Sequence, residues 1–141
     1  MVRPMTNGEI RNQVRASQEN FKDLQKRVKF AHKEKIDDYN TLTVFADREG
    51  ETLYTRLDTA GYDGYSCTVN EKNGGKSIFI YHKYGSNGWH QDRLERMDYI
   101  GPSGIPEFQA FDKDGDGALG SNKDVARTSR GRIKTIILGE D

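Results

Sequence analysis

Thiols are nearly missing from this chain: one cysteine, Cys67, stands among 141 residues. That excludes an internal disulfide framework and a four-thiolate zinc site, and it fits a reducing compartment. Long apolar runs are missing as well. The opening Met1-Val2-Arg3-Pro4 leads straight into polar residues, so the sequence suggests neither a secretory signal nor a membrane span and points to a cytoplasmic protein. Net charge is zero, with 22 basic and 22 acidic side chains, so no global field draws the chain to nucleic acid or to a membrane. Hydrophobic residues make up only 33% against 31% charged, which implies a core that is thin or shared with a partner. What is present argues against disorder. Seven Tyr, six Phe and one Trp supply large buried surfaces from few positions, and the length fits one domain spanning residues 1–141.

Charge is unevenly spread. Residues 1–36 hold nine Lys/Arg against four Asp/Glu, and residues 37–70 hold two against seven. Thr6-Asn7-Gly8-Glu9 has capping-box spacing, with each end placed to satisfy a backbone amide of the other. The positions Ile10, Val14, Ser17, Phe21, Leu24, Val28 and Ala31 then follow in alternating steps of four and three, which is one stripe of a helix. This spacing predicts a helix from about residue 7 to about residue 35, leaving through Asp37-Asp38-Tyr39-Asn40, with Arg11, Arg15, Lys22, Lys26, Lys29 and Lys33 on its other faces. Such a stripe either packs on the protein's own sheet or meets a partner or second copy through Val14, Phe21, Leu24 and Val28.

From residue 41 the period changes to two. Thr41–Ala46, Thr52–Leu57, Tyr65–Asn70 and Lys76–His82 read as strands, joined by the turn sequences Asp47-Arg48-Glu49-Gly50, Asp63-Gly64 and Asn73-Gly74-Gly75. Leu42, Val44, Leu53, Leu57, Cys67, Val69, Ile78 and Ile80 form the expected core face. Phe45, Tyr54, Arg56, Phe79 and Tyr81, with Thr43, Ser66 and Thr68, form the face expected to turn outward. Trp89–Ile100 reads as a short helix or a further strand, ended by Gly101-Pro102. Residues 101–131 are rich in Gly and Asp, and Arg132–Leu138 reads as a last strand.

The most specific stretch is Phe111-Asp112-Lys113-Asp114-Gly115-Asp116-Gly117-Ala118-Leu119-Gly120. Calcium takes six to eight oxygen ligands, and alternating carboxylates converge where glycine allows a sharp turn. Asp112, Asp114 and Asp116 stand at positions one, three and five, and the Ala118 carbonyl would follow. These ten residues resemble the first half of an EF-hand or dockerin-type calcium loop. In that pattern Leu119 would be a buried apolar residue, and position twelve would be a bidentate acid. Here position twelve is Lys123, with Asp124 one place later, and Asp124 or the upstream Glu107 would have to complete the shell. A weak single site of this kind implies a structural ion rather than a signalling switch. The same residues would also suit an Asp-Gly turn whose carboxylates cap backbone amides.

Other constellations are sparser. His82 and His90, with Arg93 and Arg96, outline a ribonuclease-like acid–base pair. Gly74-Gly75-Lys76-Ser77 ends like a phosphate loop but lacks its spaced upstream glycine. The aromatic residues Phe45, Tyr54, Phe79 and Tyr81, if exposed, would stack unpaired bases or anchor a protein, and Arg127, Arg130, Arg132 and Lys134 form a basic run. Neutral total charge disfavours nucleic acid. The sequence therefore suggests an α+β fold, with a helical segment over 1–36, a β-rich body over 37–100, and an acidic loop and last strand over 101–141. It ranks a non-enzymatic protein-interaction or assembly module with a calcium-type loop first, a single-stranded nucleic-acid binder second, and a small enzyme last.

Overall fold

The computed structural model describes residues 3–84, 91–121 and 123–139. Its element order is α1 (Asn7–Arg27), β1 (Phe30–Lys35), β2 (Asn40–Ala46), β3 (Thr52–Thr59), β4 (Gly64–Asn70), β5 (Lys76–Tyr84), β6 (Gln91–Ile100), β7 (Pro106–Phe111), β8 (Val125–Thr128) and β9 (Thr135–Ile137). The fold is α+β. All nine strands belong to one sheet in sequence order, each antiparallel to its neighbour, with β1 and β9 at the edges. Among the described residues no helix is long and apolar enough to cross a membrane.

The capping box forms as its spacing requires. The Thr6 amide donates to Glu9 Oε1 at 2.9 Å and the Glu9 amide donates to Thr6 Oγ1 at 3.2 Å, while Arg3 brackets the Glu9 carboxylate at 2.6 and 3.1 Å. These bonds hold the Glu9 carboxyl down at about 2, the Arg3 hydrogen bond contributing most. The helix is shorter than its stripe implied, ending at Arg27, and residues 30–35 form a strand. The cause is visible in the sequence. β1 is exposed on both faces, so it carries no period-two signal, and its Ala, Lys and Glu residues favour a helix. Pairing with β2 decides the conformation: the Lys29 amide donates to the Ala46 carbonyl at 2.8 Å and Phe30 stands opposite Ala46.

Ile10, Val14, Ser17, Phe21 and Leu24 are all buried against the sheet. The helix crosses the strands. Arg11 donates to the Ile137 carbonyl of β9 at 3.0 and 3.1 Å, Ser17 meets Ser77 of β5 at 3.0 Å, and Phe21 lies against Tyr54 of β3. At the crossing point the small Ser17 and Ser77, both fully buried, satisfy each other and let the backbones approach, with Gln13 donating to Ser17 Oγ at 2.8 Å.

Register corrects the assignment of faces. Lys33, Thr43, Arg56, Cys67, Phe79, Met97, Ala110, Ala126 and Ile136 form one cross-strand row, on the side that carries the helix. Tyr54 and Phe79 are therefore core residues, only 8% and 1% exposed, and Phe45 and Tyr81 are partly buried against that core. Leu42, Val44, Leu57, Ile78 and Ile80, expected in the core, lie on the opposite face. The rings take the interior because each removes more apolar surface from water than an aliphatic side chain does. Gln91–Ile100 is a strand, so the helical alternative for that segment fails, while Trp89 and His90 lie outside the described residues. The segment read only as Gly/Asp-rich holds β7 and β8, and the last strand is confined to Thr135–Ile137.

Candidate metal site in the acidic loop

The loop 112–124 joins β7 to β8, so it is held between strands rather than between helices. Gly115 and Gly117, at φ +72° and +79°, supply left-handed turns that a side chain would strain. Asp112, Asp114, Asp116 and Asp124 each bring a carboxylate oxygen into one group, all within 4.8 Å of one another. This set can hold a metal ion. Asp124 is fully buried at the start of β8, and its place in the group agrees with the displaced acid expected from the sequence. Glu107 does not join it; its carboxylate pairs with Arg130 Nη1 at 2.9 Å.

The same carboxylates also organise the backbone. Asp124 accepts from the amides of Lys113, Gly120 and Ser121 at 2.9, 3.0 and 3.2 Å. Asp112 accepts from Gly115 and Gly117 at 3.1 and 2.8 Å, and Asp116 accepts from the Ala118 amide at 2.9 Å. Asp114 accepts from the Asp116 amide at 3.2 Å and from the Ser121 hydroxyl at 2.5 Å. Capping and convergence thus coexist in one loop. Burial pushes the Asp112 carboxyl up to about 6, and the neighbouring Asp114, Asp124 and Asp116 add to the rise. Asp114 is exposed and held down at about 2, chiefly by the Ser121 hydroxyl. Carboxylates so close repel one another, and a hard cation is the chemistry that relieves them.

One anchoring residue escaped the sequence. Gln18 on α1 donates from Nε2 to the Leu119 carbonyl at 2.9 Å and accepts the Leu119 amide on Oε1 at 3.0 Å, tying the loop to the helix while Leu119 itself is buried. A polar residue next to the apolar stripe was the only available signal, and it is indistinguishable from a solvated one.

The remaining candidates are scattered. Phe21, Leu24 and Val14 are buried within the chain and Val28 is partly buried against the core, so the stripe is occupied by the protein's own sheet. Arg127, Arg132 and Lys134 are exposed, whereas Arg130 is partly buried with Glu107 and donates to the Arg3 carbonyl. His82 Nδ1 lies 3.8 Å from Glu95 Oε1; its expected companion His90 is outside the described residues. The aromatic residues meant to stack bases are mostly interior, which removes the platform from the nucleic-acid reading. Searches against protein-family models, curated proteins and solved structures found no match for this chain.

Proposed function

We propose that the protein is a non-enzymatic interaction module that associates with a second copy along β1, with calcium in the acidic loop as a brace for the fold. The observation that carries this reading is the state of β1. All six of its residues are exposed and its outer edge pairs with no strand among the described residues. Phe30 is 59% exposed at one end, and Ile36, just past the other, is 58% exposed. Unpaired strand backbone with apolar flanks is a template for another strand.

Side chains supply a register. Phe30, His32, Glu34 and Ile36 share the face opposite the helix, and His32 Nε2 already lies 3.4 Å from Glu34 Oε1. Antiparallel pairing of two copies about Lys33 would set each Phe30 against the other Ile36 and each His32 against the other Glu34. The two central lysines would repel, keeping the association weak and salt-dependent. Sedimentation over a wide concentration range is the test. A reversible dimer, lost in Phe30→Lys and Ile36→Lys, is expected. A monomer at every concentration, with β1 amides exchanging like free chain, overturns the reading. The calcium arm is independent and is tested by thermal shift.

A further inference from the structure

A second site opens on the helix-bearing face near the β1 edge. It is a cleft of about 440 Å³ lined by Lys33, Thr43, Phe45, Arg56, Asp58 and Lys83, among others. That volume falls within the roughly 300–1,000 Å³ of small-molecule sites. Register explains why these groups converge: Lys33, Thr43 and Arg56 stand directly opposite one another on three adjacent strands. Their side chains project the same way, about 5 Å apart from strand to strand.

Arg56 is unusually constrained. Its Nε and Nη2 both donate to the Asp58 carboxylate at 2.9 Å, and its guanidinium lies 3.6 Å over the Tyr65 ring. Tyr65 is fixed in turn by a 2.7 Å hydrogen bond to Asp92 and by stacking on Tyr81. Nη1 makes no hydrogen bond to a described residue, so a pinned guanidinium keeps one pair of donors for something else. Lys83 reaches the same Asp58 at 3.8 Å, and Lys33 pairs with no carboxylate among the described residues. One carboxylate therefore serves two cations, and the third, Lys33, has no such partner in the cleft. Phe45, held by stacking on Tyr54 at 4.6 Å, adds an apolar wall.

We propose that this cleft binds a small organic anion, with its charged group between Lys33, Arg56 and Lys83 and a flat apolar part against Phe45. Preorganisation supports this: the guanidinium loses little freedom on binding, and its charge is only partly compensated beforehand. The inference does not rest on pairing along β1, although Lys33 belongs to both surfaces.

Phenyl phosphate is a suitable probe, with benzyl alcohol as its neutral counterpart, titrated while following backbone and ring signals by NMR. Saturable shifts should centre on Thr43 and Phe45. Lys33→Gln and Lys83→Gln, both at solvent-accessible positions, should each weaken binding about tenfold, the loss of one charge-assisted contact. Lys83→Arg should restore it. Phe45→Leu should weaken phenyl phosphate more than inorganic phosphate. No saturable shift at millimolar probe overturns the proposal. So does equal binding of benzyl alcohol, or unchanged affinity in the two glutamine variants with unchanged melting.

Discussion

Phe21 of the helix stacks on Phe79 of β5, with ring centroids 4.9 Å apart and planes inclined by 21°. The same Phe21 ring meets Tyr54 edge-on, also at 4.9 Å. These three rings bind α1 to the middle of the sheet. Phe21→Ala should cost about 3–5 kcal/mol in urea unfolding, the usual range for an emptied aromatic site. Phe79→Ala should cost a similar amount, and the double variant less than the sum, because both remove one contact. Strict additivity would mean that the two rings do not act together.

Gln18 carries a second prediction. Gln18→Ala strips both the amide and the carbonyl of Leu119 of their partners, and should destabilise the protein by about 1–3 kcal/mol. Hydrogen exchange should show the Leu119 amide opening selectively. Global unfolding with no local opening would place the loop's support elsewhere.

Calcium should raise the melting temperature in a concentration-dependent way, adding about 1.4 kcal/mol of stability at ten times the dissociation constant. Four carboxylates without the usual bidentate acid imply weak binding, roughly 10⁻⁴ to 10⁻³ M, and magnesium should be poorer because it demands a tight octahedron. Asp114→Ala should abolish the response with little effect on the metal-free protein, since Asp114 is exposed. Asp124→Ala should destabilise even without metal, because it uncaps three amides. Calorimetry with no heat at millimolar calcium would leave a purely hydrogen-bonded turn.

Cys67 gives a pH dependence. Burial pushes its thiol up to about 12, so the folded state holds it neutral where an unfolded chain would ionise. An acid raised on folding contributes stability that is present below its unfolded value, about 8.5, and is lost as pH climbs toward the folded one. Stability should therefore fall from about pH 8.5 upward, less so in Cys67→Ala. At pH 8 a thiol reagent should label Cys67 only in denaturant. Rapid labelling of native protein would show that the site opens locally.

The acidic loop was legible because its signal is local: alternating Asp with glycines produces convergence whatever surrounds it. The capping box and the strands β2 to β5 were legible for the same reason. Residues 30–35 were not, because an exposed edge strand rich in Lys and Glu is compatible with helix until its neighbour is known. Leu53, Cys67 and Val69 are core residues as expected, but the faces of β2 and β5 were misassigned because alternation within a strand leaves open which of two faces looks inward. Pairing of Cys67 with Phe79 decides that, and it is a relation between strands. The cleft at Arg56 was invisible for the same reason, since Lys33, Thr43 and Arg56 are neighbours only across the sheet.

The meander also has a consequence in time. Each strand pairs with the next in sequence, so most hairpins close over a short loop, the acidic loop between β7 and β8 being the long exception, and the sheet can grow by successive local steps. The helix obeys no such economy. Although it is made first, the carbonyl that Arg11 grips belongs to Ile137, separated from it by 126 positions. Phe21 can meet Tyr54 and Phe79 early, but the N-terminal end of the helix must wait until the far edge arrives. The interval between early helix and late strand is when this chain is most open to sticking to its neighbours, and a shortened C-terminus would make that interval permanent.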